Sequence, residues 1–327
     1  MAVIEKWSGL VSEVIIGATK LEGGTRSRAI KIGGQATLPF LFSEGAIPHK
    51  PVVAFEVWDS KPLDWPEELV KSLADVLGDP LAWAEKCVKE FKAEVICLRL
   101  QGAHPDLGNK SPEQEAKLIE QLLKRVDVPL IILGCGDDAK DNLVLPICCE
   151  AGKGERCLVG NAVQDNYKTL TAAVLADGHN IFAESPIDIN IAKQLNILIS
   201  DMGLPLERIV INPTIGALGY GLEYAYSIME RARLAALSGD KTVASPFICF
   251  VGQEAWRVKE AKASSKEFPA WGPEAERGII WEAMTATALI QAGVDILVMR
   301  HPGAVEKINK YIDELMRNKP KVEVKAE

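Results

Sequence analysis

Eight short apolar runs separated by amphipathic stretches fill residues 52–316 without a break, and this alternation limits the fold more than any other feature. The runs lie at residues 52–57, 94–100, 130–133, 157–160, 180–183, 208–211, 247–251 and 295–299. They are short and mostly β-branched or aromatic, as strands covered on both faces should be. Between them apolar residues return every three or four positions. Leu81, Ala84, Val88 and Phe91 do so, as do Ile119, Leu122 and Val126, and Ile187, Ile191, Leu195 and Leu198. Ile280, Ala283, Ala286 and Ile290 repeat the pattern, followed by Val305, Ile308, Ile312 and Leu315. Each set places one apolar stripe on one helix face.

Asp79-Pro80, Ser111-Pro112, Ser185-Pro186 and His301-Pro302 put proline at a first helical position, where its missing N–H costs nothing. Ser111 with Gln114 reads as a capping box. Pro146 is expected to interrupt the helix that follows Leu143. A strand and a helix repeated eight times over about 265 residues predict an α/β fold, a TIM (β/α)8 barrel over residues 51–318. An open doubly wound sheet would need G-x-G-x-x-G after the first strand. Only the fragment Gly134-Cys135-Gly136 occurs, and no P-loop is present. Residues 1–50 stand outside the count. Stretches 13–16 and 29–32 read as an N-terminal β-hairpin extension that caps one end of the barrel or reaches toward a partner. Residues 319–327 read as a flexible, solvated tail.

A net charge of -8 argues against a nucleic-acid binder, which would carry a basic face. The N-terminus has no basic region followed by a long apolar run, and no stretch of 18 apolar residues occurs, so a cytoplasmic location away from membranes is expected. The seven cysteines form no C-x-x-C pair and fit neither a zinc ribbon nor an iron–sulfur run. They are expected to be buried free thiols in a reducing compartment.

The working face of such a barrel is the C-terminal end of its strands. Read from the sequence, that face holds Trp58, Asp59, Gln101, His104, Asp106, Gly134, Asp137, Asn161, Asp165, Asn166, Glu184, Asn212, Thr214, Glu254, Arg300 and His301. It is rich in amides and poor in matched catalytic pairs. His104-Pro105-Asp106 suits a turn better than a metal site, which needs three or four ligands. His179 reads as structural. Cys135 is the one thiol with a plausible exposed position, though a small residue in a tight turn is the better explanation, since activation would need a nearby cation or histidine. Glu184 and Asp59 sit where burial can raise a carboxylate pKa, but carboxylates there also cap helices or hold arginines such as Arg99 and Arg300. Residues 253–273, with Trp256, Phe268 and Trp271, form an unusually long connection that either packs on the rim or offers a contact surface.

The segment Asn212-Pro213-Thr214-Ile215-Gly216-Ala217-Leu218-Gly219-Tyr220-Gly221 follows a strand and opens a helix. Its three glycines let backbone approach a flat or bulky ligand. Extended to Arg231, it resembles the small subunit of the corrinoid iron–sulfur protein of the acetyl-CoA pathway, equivalent to the delta subunit of the archaeal acetyl-CoA decarbonylase/synthase complex. Residues 53–59, Leu98-Arg99-Leu100 and residues 131–136 support the resemblance. It implies a TIM barrel that pairs as a heterodimer with a large subunit carrying a [4Fe–4S] cluster and a corrinoid-binding domain. The corrinoid (cobalamin) would lie between that domain and this barrel. Its cobalt would accept methyl from methyltetrahydrofolate through a separate methyltransferase and pass it to acetyl-CoA synthase/CO dehydrogenase, the Wood–Ljungdahl route.

This chain lacks the D-x-H-x-x-G signature of a cobalt-ligating histidine, so it is expected to act as a wall, with no catalytic or metal-ligating residue. Asn212 and Thr214 are the foremost candidates for hydrogen bonds to the corrin. Gly216, Ala217, Leu218 and Gly219, with neighbouring Tyr220, would supply close backbone contacts. Gln101, Asn161 and Glu184 stand second. The alternatives are a pterin-dependent methyltransferase acting on a corrinoid protein, using Asn161, Asn212 and Asp59, and a barrel that serves only as a docking scaffold.

Overall fold

In the computed structural model, which describes residues 4–317, the two-residue period of the strands separates two cores. Eight strands build the barrel: β3 (Val52–Trp58), β4 (Val95–Arg99), β5 (Leu130–Leu133), β6 (Leu158–Ala162), β7 (Asn180–Glu184), β8 (Ile209–Asn212), β9 (Ile248–Cys249) and β10 (Ile296–Met299). All pair in parallel, in the order β8-β7-β6-β5-β4-β3-β10-β9. The ring closes between β8 and β9 through an Ile211–Phe247 bridge, where Ile211 N donates to Pro246 O at 2.8 Å.

Outward residues such as Phe55, Ile96, Leu98, Ile132, Ile181, Ile211 and Leu297 pack under the surrounding helices. Inward residues Ala54, Cys97, Ile131, Phe182, Val210, Ile248 and Val298 fill the barrel. The same alternation continues one step toward the C-terminal end and there turns polar, at Glu56, Arg99, Glu184, Asn212 and Arg300. That change of chemistry along one register separates the packed interior from the mouth.

The expected hairpin is present. β1 (Val14–Ile16) and β2 (Ile30–Ile32) pair antiparallel, and Val14, Ile16, Ile30 and Ile32 join the barrel's inner cluster. The hairpin therefore plugs the N-terminal end, with each buried aliphatic side chain worth about 2 kcal/mol. Arg26 pins it. Its Nε meets Glu155 Oε2 at 2.8 Å and its Nη1 donates to Val126 O at 2.6 Å, both on connections leading into strands.

Several boundaries differ from the sequence reading. The helix Asp138–Ala151 runs through Pro146. Proline gives up its bond to the carbonyl of Asn142, but Val144 and Leu145 on one side and Cys148 and Cys149 on the other are fully buried. Their packing outweighs a penalty of about 3 kcal/mol. The helix after β7 begins at Ile189 with Asp188 as its cap, accepting from Asn190 N at 2.7 Å. Ser185-Pro186 belongs instead to the turn before it. β9 is two residues long because Val251–Ala255 is already helical, and residues 253–273 are a chain of short helical pieces, including Lys259–Lys262 and Pro269–Trp271. Within it Trp256 is buried, Phe268 and Trp271 stack 4.1 Å apart, and Trp271 is exposed. The proposed tail, residues 319–327, lies outside the described residues.

Candidate functional site at the barrel mouth

Two cavities open at the C-terminal ends of the strands and share Arg99 and Gln253. The first, of about 330 Å³, is lined by Asp138, Asp141, Asn161, Glu184, Asn212 and Thr214 among others. The second, of about 470 Å³, is lined by Trp58, Trp65, Gln101, Arg257 and Arg300 among others.

Between them lies an ion triad. Glu56, 1% exposed, accepts from Arg99 Nε at 2.6 Å and from Arg300 Nε at 2.6 Å. Trp58 Nε1 adds a third donor at 2.9 Å. Burial alone would raise the Glu56 pKa. The charges of Arg300 and Arg99, with hydrogen bonds from Arg300 and Trp58, outweigh burial and bring it down to about 2. Glu56 is therefore an ionised structural anchor that fixes both guanidinium groups at the mouth.

Asn161, Glu184, Asn212 and Thr214 are brought together in the first cavity. Asn212 Oδ1 accepts from Thr214 N at 3.2 Å, an Asx turn that starts the glycine-rich loop. Thr214 holds φ +53, an unusual conformation for a β-branched residue, and donates its hydroxyl to Glu184 at 3.1 Å. Burial raises the Glu184 pKa, while the Thr214 hydrogen bond opposes the shift. Asn161 Oδ1 is buried without a partner among the described residues. Gln101 stands apart, in the second cavity.

Ile215 also lines the first cavity, whereas residues 216–220 form the rim. Gly216 packs so closely that an added Cβ would lie 2.1 Å from Tyr220 O. Leu218 N donates to Thr285 Oγ1 at 3.2 Å, and Trp281 Nε1 donates to Leu218 O at 3.2 Å, so this peptide is bolted to the helix Glu274–Ala292. Ala217 is buried and its carbonyl accepts from Tyr220 N. Gly219, at φ +80, meets nothing within 4 Å of an added Cβ and faces open space. Tyr220 is half exposed and donates its hydroxyl to Glu260 at 2.8 Å.

Other residues singled out in the sequence have local roles. Asp59 is buried, accepting from Gly102 N at 2.7 Å and Lys110 Nζ at 2.9 Å, and it lines neither cavity. Cys135, expected to have a plausible exposed position, is 4% exposed. Burial and the neighbouring Asp141 carboxylate push its pKa up to about 12, which makes it a poor nucleophile. The remaining six cysteines are also buried and free. His104 Nδ1 accepts from Asp106 N at 3.2 Å within a turn. His179 is fully buried between Cys157 N and Cys149 O, and burial lowers its pKa.

Sequence reading missed Glu56, Asp138, Asp141 and Gln253 as parts of the mouth. Glu56 was legible in principle, because it continues the two-residue inward register of β3. Asp138 and Asp141 sit in the first turn of a helix, where acids are ordinary, and no sequence signal marks them.

No helix among the described residues is long and apolar enough to cross a membrane. The model of the family described as CO dehydrogenase/acetyl-CoA synthase delta subunit matches residues 13–323. The acetyl-CoA decarbonylase/synthase complex subunit delta of Methanocaldococcus jannaschii is 38% identical over 97% of this chain and 76% of its own length. The subunit of that name from Methanothermobacter thermautotrophicus is 39% identical over 96% of this chain and 78% of its own. Among solved structures, dihydropteroate synthase from Xanthomonas albilineans in complex with 7,8-dihydropteroate superposes with a TM-score of 0.54 at 14% identity, over 83% of this chain and 95% of that one. The enzyme from Thermus thermophilus gives 0.54 at 12% identity, over 86% and 99%. At such identities the likeness bears on the barrel fold alone.

Proposed function

The chain belongs to the CO dehydrogenase/acetyl-CoA synthase delta subunit family, and from that membership we propose that it works in an acetyl-CoA decarbonylase/synthase complex as the corrinoid-facing subunit of a heterodimeric methyl carrier. The observation that carries this reading is the rim built by residues 212–221. It is a rigid loop with open space outside Gly219, beside amides that still have hydrogen-bonding capacity. A flat ligand with an amide periphery fits such a surface by lying across it. The unpartnered Asn161 Oδ1 suits an amide N–H, Asn212 and Thr214 line the same cavity, and Gln101 lines the adjoining one.

When held, a corrinoid supplies the cobalt that carries the methyl group. This chain's part is to cover and orient. Asn161, Asn212 and Gln101 would hydrogen-bond the corrin amides, and Thr214 would hold Glu184 while fixing the loop's start. Gly216, Ala217, Leu218, Gly219 and Tyr220 would form the close wall. A large partner subunit would supply the [4Fe–4S] cluster and the second corrinoid-binding domain. A methyltetrahydrofolate methyltransferase and acetyl-CoA synthase/CO dehydrogenase would take turns at the cobalt. Gly219→Trp fills the open space and is expected to lower cobalt retention in the heterodimer; unchanged cobalt content would remove the loop from the assignment.

A pterin methyltransferase is the second reading. It is favoured by the first cavity, whose size and whose Asp138, Asn161 and Asn212 lining suit a bicyclic heterocycle. Demethylation of methyltetrahydrofolate by this chain alone, with free cobalamin as acceptor, would establish it.

A further inference from the structure

Three guanidinium groups and a pair of tryptophans meet in the second cavity, and the corrinoid reading uses neither. Arg99, Arg257 and Arg300 line it with Trp58, Trp65, Leu63 and Leu107. Arg300 is 5% exposed, yet its one carboxylate partner, Glu56, is shared with Arg99. A single buried negative charge thus faces two guanidinium groups, and sharing leaves positive charge over. The other acids nearby are Asp64, exposed at the cavity's edge, Glu254, which pairs with Arg257 at 3.2 Å, and Glu184, which interacts with Arg99 from the first cavity while held by Thr214. Glu282, behind the wall, accepts from the backbone N of Arg300.

The unused hydrogen-bonding groups of the wall are donors. Arg99 Nε and Nη2 are committed to Glu56 and Gln253, and Arg300 Nε and Nη2 to Glu56. That leaves Nη1 of each without a partner among the described residues. Trp65, 9% exposed, has a buried Nε1 that also has no acceptor. A buried donor left unpaired is unfavourable, and Trp65 Nε1 is one; with the two free Nη1 groups at the same cavity, the wall suits a ligand that accepts. The walls specify its body. Trp58 and Trp65 stand edge to face 5.3 Å apart, and Arg300 lies 4.8 Å from the Trp65 ring, so the charged floor is flanked by flat apolar surface.

We propose that this cavity is an anion subsite that takes a carboxylate or phosphate borne on a flat apolar body, with Arg99, Arg300 and Trp65 Nε1 binding the anion and Trp58 with Leu107 covering the body. The subsite stands independently of the corrinoid assignment, since it is a property of this chain alone.

The test titrates the isolated chain with benzoate, phenyl phosphate and the neutral benzamide at constant ionic strength, following tryptophan fluorescence. Benzoate or phenyl phosphate should quench saturably, and at least about tenfold more tightly than benzamide, as charge-assisted hydrogen bonds require. The tighter of the two identifies the anion. Arg99→Gln should weaken that ligand by about tenfold or more, with partial rescue in Arg99→Lys. Because Arg99 also holds Glu56, the exposed Arg257→Ala is the control for misfolding, and it should weaken binding a few-fold at an unchanged melting temperature. Equal response to benzamide and both anions, or no change in affinity in folded Arg257→Ala and Arg99→Gln, would overturn the proposal.

Discussion

Thr214 donates its hydroxyl to Glu184 across 3.1 Å, joining the loop after β8 to the end of β7 at the lip of the first cavity. The bond exists because Thr214 holds φ +53, a conformation the Asx turn from Asn212 imposes and threonine resists. Thr214→Ala keeps the strain and loses the bond. Thr214→Gly loses the bond but relieves the strain. Denaturant titration should therefore find the glycine variant more stable than the alanine variant by about 1 kcal/mol.

Two glycines of the same loop are needed for different reasons, and their alanine variants should separate. At Gly216 a methyl group would lie 2.1 Å from the Tyr220 carbonyl oxygen, so the backbone must move. At Gly219 nothing obstructs the methyl group and only φ +80 is at issue. Gly219→Ala should cost about 1 kcal/mol. Gly216→Ala should cost about 2 kcal/mol or more and loosen Tyr220 from Glu260.

At the opposite end, Arg26 and Glu155 form an ion pair with side chains 1% and 8% exposed. Removing one partner strands the other charge. Glu155→Ala should destabilise the protein by about 3–5 kcal/mol, whereas replacing both residues with apolar side chains of similar volume should cost much less. A double-mutant cycle in denaturant measures the difference.

Glu115 predicts a pH dependence. Its carboxyl is fully buried beside the Asp59 carboxylate, and Lys110 Nζ stands 3.8 Å away. Burial, with the charge of Asp59 adding to it, raises its pKa from 4.5 to about 8. The folded protein then keeps a proton that the unfolded chain releases above about pH 4.5. Its contribution to stability falls as pH rises from there to about 8 and is level beyond. Glu115→Gln stays neutral throughout. It should flatten the melting-temperature profile over that window and gain on the order of 2 kcal/mol relative to wild type at pH 8 compared with pH 5.

Most of the barrel is legible in the sequence, because doubly covered strands are apolar runs and because Asp79-Pro80, Ser111-Pro112 and His301-Pro302 mark helix starts that the structure retains. Pro146 misleads because burial of Cys148 and Cys149 outweighs a local backbone penalty. Ser185-Pro186 misleads because Asp188, two residues on, is the better cap. At the mouth, Asn161, Glu184, Asn212 and Thr214 follow from their places at strand ends. The Glu56–Arg99–Arg300 triad does not, because it joins residues up to 244 positions apart and depends on which side chains point inward together. Residues 216–220 read as a glycine loop open to close ligand approach, and what the sequence does not reveal is that its middle is fixed: Leu218 N donates to Thr285 and its carbonyl accepts from Trp281.

The most direct measurement is the cobalt content and visible spectrum of this chain purified alone, and again after co-expression with its presumed large subunit. Corrinoid bands that appear, or strengthen greatly, only in the presence of the large subunit are the expected result for a shared site with this barrel as one wall. No corrinoid in either sample, together with binding of methyltetrahydrofolate by the chain alone, would contradict the shared site and favour a pterin methyltransferase.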